Sequence, residues 1–299
     1  MDDELTVITT LDLKAYRFLS LLIRVYRLGL FCRNRGLTLI VVCAYRNLFI
    51  KTLLRFTLPL LGLGKRLILV KFKSNDVNNS KLRNAGIRRA KTNLLMFCDI
   101  DLIISDELIN VGVEYALRDK YATFPCIYLN KIGSVKIRKR QLKFPLTKSL
   151  YQHVAIPSSV IFMEKTIAMK VGGFDEGYQG HGYEDFDFMI RVLLELKRLT
   201  LSTLDLYDEA YYRPILSKGF RAALIVDYIN HLCPGHENIV AFHLYHKKNR
   251  HSYESERKRN RMRFSSKFLN EENRKEFGKR PLRQMVNLDI VYRNQILMY

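Results

Sequence analysis

The chain has 299 residues, 48% hydrophobic and 26% charged, with 50 Lys+Arg against 29 Asp+Glu and a formal net charge of +21. These proportions fit a globular protein with its own core and exclude a chain that is disordered throughout. The charge predicts attraction to a polyanion, whether nucleic acid, anionic lipid or a phosphorylated substrate. The five cysteines (Cys32, Cys43, Cys98, Cys126 and Cys233) are scattered, odd in number and without CxxC spacing. They exclude a disulfide framework and a zinc knuckle, and a reducing cytoplasm is the expected compartment. No apolar stretch approaches the roughly 20 residues of a membrane span, and MDDELTVITT lacks a signal-peptide pattern, so any membrane contact is expected to be peripheral, on the inner face.

In chain order, LTVIT (5–9) predicts a short strand and Asp12 an N-cap for a helix over 13–31. On that helix Lys14, Arg17, Arg24 and Arg27 fall within an arc of about 140°, which reads as a core-packed helix with a basic outer face or as an interfacial helix on anionic lipid. GLTLIVVCAY (36–45) predicts a buried parallel strand, 47–61 a helix, GLGK a break and 66–72 another strand. Residues 80–93 read as helix, LLMFCDIDLII (94–104) as a strand running into acids, and Asp106 as the cap of a further helix. Such alternation predicts an α/β sheet with helices on both faces and ligands at the carboxyl ends of the strands. Residues 131–148 hold seven basic residues and no acid, predicting an exposed basic hairpin or loop. HVAIPSSVIFME (153–164) returns to strand, FMIRVLLELKRL (188–199) to amphipathic helix, and beyond His246 the chain becomes a mobile basic extension.

Three stretches carry chemistry. In Asp99-Ile100-Asp101, strand alternation places both carboxylates on one side, where a hard divalent ion bridging to phosphate oxygens would relieve their repulsion. In GGFDEGYQGHGYEDFD (172–187), five glycines and five acids lie together. Acids suit a helix N-terminus in any case, but glycine at this density favours carboxylates that reach a substrate hydroxyl. In HLYHKKN (243–249), His243 and His246 supply imidazoles suited to Mn²⁺ or Zn²⁺ over Mg²⁺.

Four segments in order, VVCAYRN (41–47), NNSKLRNAG (78–86) leading into FCDIDLI (97–103), VGGFDEGYQGHGYEDFD (171–187) and HLYHKKN, make the chain resemble the β-1,4-galactosyltransferase family. More loosely it resembles other inverting GT-A-fold glycosyltransferases, including bacterial capsule and O-antigen enzymes. The resemblance implies a Rossmann-like mixed sheet flanked by helices, with a catalytic domain over 1–250 and a basic extension over 251–299. Residues 1–36 would supply part of the nucleotide-binding half. It further implies Tyr45 and Arg46 at the uracil and ribose of UDP, Lys81 and Asn84 beside the nucleotide, and Asp99 near the ribose and sugar. Asp101 and His243 would be metal ligands, with Asp99 close to the same Mn²⁺ or Mg²⁺. Glu184 and Asp185 would meet the acceptor together with His181, Gly182 and Tyr183, and Asp185 would be the catalytic base. In an alternative register LTVITT (5–10) is the first nucleotide-binding strand, with Thr9 and Thr10 at the uracil. His181 stands where the family has tryptophan, Val240 where it has a methionine ligand, and Val77 where it has an aromatic.

The expected reaction is transfer of a hexose or N-acetylhexosamine from a UDP-sugar to a glycan or lipid-linked acceptor, with residues 247–263 closing as a lid. The basic face could also meet an anionic membrane. The competing reading is a non-catalytic nucleic-acid binder, although no nucleic-acid motif is present; no nucleic-acid partner is expected.

Overall fold

The apolar, β-branched runs that dominate the first hundred residues form parallel strands at the centre of the molecule. The computed structural model describes residues 5–12, 18–45, 48–58, 67–71, 78–142, 146–156, 158–180, 182–200, 220–236, 238–246 and 250–268. The first half alternates: β1 (Leu5–Asp12), α1 (Phe18–Arg33), β2 (Thr38–Tyr45), α2 (Leu48–Leu58), β3 (Leu67–Lys71), α3 (Asn79–Arg89) and β4 (Leu94–Phe97). A short β5 (Leu102–Ile103), α4 (Asp106–Asp119), β6 (Tyr121–Thr123), β7 (Cys126–Leu129) and α5 (Lys131–Arg138) follow. Then come β8 (Tyr151–Ala155), β9 (Ile161–Glu164), α6 (Lys165–Lys170), α7 (Glu184–Glu195), α8 (Phe220–His231), β10 (Ala241–His243) and α9 (Arg250–Phe268).

The main sheet has the order β3-β2-β1-β4-β9-β6; its first four strands are parallel, and β9 and β6 make it mixed. One face is covered by α1, α2 and α4, through Leu21, Val25, Leu54 and Leu108, and the other by α3 and α6 to α9, through Leu82, Ala168, Phe188, Leu224 and Phe264. The chain is thus a mixed α/β sheet with helices on both faces. A second sheet, β5-β10-β7-β8, stands beside it.

Because β1 lies between β2 and β4, the strand order reverses at β1 and β4, and the crevice at the carboxyl ends of these two strands is the switch point where such sheets bind ligands. This placement favours the 5–10 register for the first strand of the site. Several expectations need correction. The run 94–104 is two strands broken by a turn, because Leu102 N donates to Asp99 O, 3.2 Å. The run 153–164 divides between the two sheets at Ser158 and Ser159. The basic stretch 131–148 begins as helix α5, capped by Asn130, whose side chain accepts from Gly133 N at 2.9 Å. Ser105, accepting from Leu108 N at 3.1 Å, caps α4, while Asp106 is its first residue and pairs with Arg35.

Residues 250–268, expected as part of a mobile extension, form a packed helix. Phe264 is fully buried, and Lys267 and Arg263 reach the acids of the 172–187 stretch. Residues 269–299 lie outside the described part. Asn260, 1% exposed, donates to Gln179 O at 2.9 Å. Asn260→Ala is therefore expected to lower stability by about 0.5–1.5 kcal/mol, the net worth of that hydrogen bond, and urea denaturation measures it.

Candidate active site

The turn after β4 separates the two carboxylates that the strand reading had placed together. Asp101 is buried and turns towards the second sheet, where His243 Nε2 is 3.1 Å and His246 Nε2 3.0 Å from its Oδ2. His243 is held there by sheet pairing: it is opposite Leu102 across β10 and β5, and Leu244 N donates to Asp101 O at 2.9 Å. The ring of Tyr128 stacks on His243 at 4.2 Å, with His153 on its other side at 4.3 Å. One carboxylate oxygen and two imidazole nitrogens lie within 4.8 Å of one another. A divalent ion with bonds of about 2.1 Å requires neighbouring donors about 3 Å apart, so the spacing of Asp101, His243 and His246 fits such an ion. Burial alone would raise the Asp101 pKa, but hydrogen bonds and charge from the two histidines hold it well below the usual carboxylate range. Arg24 from α1 is 3.6 Å from the same carboxylate.

Asp99 points the other way, accepting from Ser159 Oγ at 2.7 Å and lying 3.7 Å from Arg83. Arg83, on α3 and 5% exposed, is the centre of a second cluster: it also pairs with Asp185 and lies 3.5 Å from Glu184 Oε1. Its guanidinium sits over the Phe174 ring at 5.0 Å. Burial would lower its pKa, but the carboxylates of Asp185, Glu184 and Asp99 outweigh that and raise it. Asp185 behaves oppositely. Burial, then the charges of Glu184 and Asp99, push its pKa up to about 7 against the lowering effect of Arg83. Its side chain keeps 26% exposure, whereas Glu184 is 4% exposed, with Oε2 unpartnered among the described residues.

Three of the glycines of 172–187 lie close against side chains of α3 and α9. A Cβ at Gly177 would meet the Arg263 guanidinium at 2.2 Å, one at Gly180 the Glu256 carboxylate at 2.2 Å, and one at Gly173 the Asn84 Oδ1 at 2.5 Å. Gly180 and Gly182 also hold φ of +72° and +94°, the left-handed region, as does Tyr183 at +72° where α7 begins. The acids of this stretch divide likewise. Asp187 is fully buried and bound by Tyr178, Arg191 and Lys267, which makes it structural, and Asp175 is pulled down to about 2 because Lys267, Gly177 N and Arg263 outweigh burial. Only Glu184 and Asp185 reach the Arg83 cluster.

A model of the glycosyltransferase like family 2 matches residues 68–270. The chain belongs to this family. Its sheet and helical layers are the family's GT-A-type fold. No curated protein matches it. Similar solved structures include the mannosyltransferase PcManGT from Pyrobaculum calidifontis in complex with GDP-Man and Mn²⁺, at 12% identity, covering 88% of this chain and 63% of that one, TM-score 0.43. TarS 1–349 of S. aureus is 12% identical, covering 92% and 83%, TM-score 0.39, and GalNAc-T7 with UDP, GalNAc and Mn²⁺ is 12% identical, covering 97% and 54%, TM-score 0.48. The chain thus spans little more than half of GalNAc-T7.

Within this glycosyltransferase-family chain, the other expected site residues are placed as follows. Tyr45 ends β2 at the same edge as Asp12, with the Lys51 ammonium 5.8 Å from its ring centre. Thr9 is fully buried in the middle of β1, its hydroxyl without a partner among the described residues. Lys81 is exposed in the first turn of α3. The Asn84 amide is spent on the 173–176 loop, accepting from Phe174 N and donating to Phe174 O, both at 2.8 Å. Tyr183 is buried under α9, its ring 5.5 Å from that of Phe264, and Gly182 lies beside Arg257. Val240 is buried in a hydrophobic cluster of the second sheet. Arg46, Val77 and His181 lie outside the described residues. Arg83 was missed, although NNSKLRNAG contains it, because a lone arginine on a helix carries no sign of the three acids it meets. His246 was singled out but not assigned as a ligand; its spacing of three from His243 was the available signal.

Proposed function

We propose that this chain is a metal-dependent inverting glycosyltransferase that moves a hexose or N-acetylhexosamine from a UDP-sugar to a hydroxyl of a glycan or lipid-linked acceptor. The resemblance to β-1,4-galactosyltransferases and to bacterial capsule and O-antigen enzymes points to surface polysaccharide synthesis. The observation that carries the reading is one turn, Asp99–Asp101, with a three-donor cation site on one side and a carboxylate of raised pKa on the other, at the switch point of the sheet.

Asp101, His243 and His246 would hold the ion, and two imidazoles favour Mn²⁺ over Mg²⁺. When bound, it would offset the charge that develops on the diphosphate leaving group. The chain's own residues supply the rest. Asp185 takes the proton from the acceptor hydroxyl, and its elevated pKa suits a base working near neutrality. Arg83 orients that carboxylate and Asp99. Attack from the side opposite the leaving group inverts the anomeric centre. The docked α9 walls the acceptor side through Tyr183, in the place where a lid was expected.

Calorimetric titration of UDP with and without Mn²⁺, repeated on Asp101→Ala, tests this. Mn²⁺-dependent binding that the substitution abolishes is the expected result. Absence of UDP binding under both conditions, with tight binding of a DNA or RNA oligomer, would replace the reading with an electrostatic one.

A further inference from the structure

Helix α1 does not divide simply into an apolar inner face and a basic outer one. Leu21, Val25, Leu28 and Cys32 face the core, as expected. Arg24 and Arg27, expected on the outer face, instead turn towards the second sheet, with Arg24 3.6 Å from Asp101 and Arg27 Nη2 donating to Leu102 O at 3.4 Å. What the helix presents to the outside is the stripe Ile23, Tyr26 and Leu30, 60%, 48% and 37% exposed. On α2 Leu54 is fully buried, while Leu48, Phe49 and Phe56 are 73%, 74% and 69% exposed.

Both helices rest on β2 and join the core cluster on the same face of the sheet. Single exposed apolar residues are ordinary on a soluble surface; six large ones on two helices of one layer are not. Neither helix contains an acid, and Arg33 and Arg55 are exposed alongside the apolar positions with Lys51 partly so. The chain as a whole carries +21.

We propose that the α1–α2 face is a docking surface for an anionic lipid bilayer, with Ile23, Tyr26, Leu30, Leu48, Phe49 and Phe56 entering the headgroup region. Bulky apolar and aromatic residues flanked by Lys and Arg, with no carboxylate among them, match such an interface in both polarity and charge. A second copy of the chain is a poorer occupant, because two positively charged faces would oppose each other. The helix that carries the Ile23, Tyr26 and Leu30 stripe also reaches the Asp101 cluster, through Arg24 at 3.6 Å. The surface is read from exposure and charge and does not depend on the proposed reaction.

The test is flotation of the full chain with phosphatidylcholine vesicles and with vesicles containing phosphatidylglycerol. The protein is expected to float with the second and not the first. The double variants Phe49→Glu/Phe56→Glu and Ile23→Glu/Tyr26→Glu are each expected to weaken vesicle binding more than about tenfold, the loss from withholding one such side chain from lipid. Circular dichroism and UDP titration of the variants should match the parent, which separates failure here from failure of the catalytic reading. Equal vesicle binding by parent and variants would overturn the proposal, as would no binding by the parent. A parent dimer that the substitutions dissociate, without any lipid affinity, would assign the face to a second copy and overturn it too.

Discussion

Asp185→Asn is expected to lower the transfer rate by about 10²–10⁴-fold, the usual contribution of a positioned general base, while Mn²⁺-dependent UDP binding persists. Transfer is measured with whichever of UDP-galactose, UDP-glucose and UDP-N-acetylgalactosamine proves to be the donor. Asparagine keeps the size and one acceptor oxygen of the side chain but cannot take a proton. Asp185 is separated from the cation site by the Asp99–Asp101 turn, and its partner is Arg83, not His243 or His246. Loss of rate with retained nucleotide binding is therefore the signature of a base, and equal loss of both would make Asp185 a structural member of its cluster.

The same residue sets the pH dependence. A base must be ionised to act, and the Asp185 pKa is pushed up to about 7, first by its partial burial and next by the charges of Glu184 and Asp99. The parent's kcat/KM is therefore expected to fall tenfold for each pH unit below about 7 and to level off above it. In Asp185→Asn that acid limb should vanish along with most of the rate.

The sheet was legible because apolar, β-branched runs such as LTLIVVCAY bury themselves whatever else the chain does, and their alternation with helical spacing leaves few topologies. The acids were legible too, since Asp99 and Asp101 follow such a run directly, but the turn that separates them was not. What the sequence could not convey was the long-range partner of each side chain. Helical periodicity put Arg24 and Arg27 on one arc of α1, but nothing local reveals that the arc faces Asp101, 77 residues beyond Arg24. The glycines of 172–182 announced a close approach, and the approaching group is α9, read from its composition as a mobile tail. Repulsion between Asp99 and Asp101 suggested a shared cation. The turn resolves it by sending one carboxylate to two histidines and the other to Arg83 and Ser159.

Arg83→Met tests whether that second cluster is one electrostatic unit. Methionine keeps much of the arginine stem's packing against Phe174 and removes the cation that lies within 4 Å of Asp99, Glu184 and Asp185 alike. Leaving the buried Glu184 without its counter-charge costs about 3–5 kcal/mol, so a large loss of stability is expected in urea denaturation above pH 7. The sign of its pH dependence follows from which form the site then favours. Without Arg83 the Asp185 carboxyl, already raised by burial, is easier still to protonate in the folded state than in the unfolded one, so the loss grows as pH rises and shrinks as pH falls and Asp185 takes up its proton. Arg83 is also the largest influence lowering the Asp185 pKa, so the acid limb of the rate profile should move above 7 in the variant. Arg83→Lys, which restores the charge but not the planar fork, is expected to recover stability more fully than rate. A variant that loses stability equally at all pH values, with its rate profile unmoved, would reduce Arg83 to a packing residue and leave Asp185 to be tuned by burial alone.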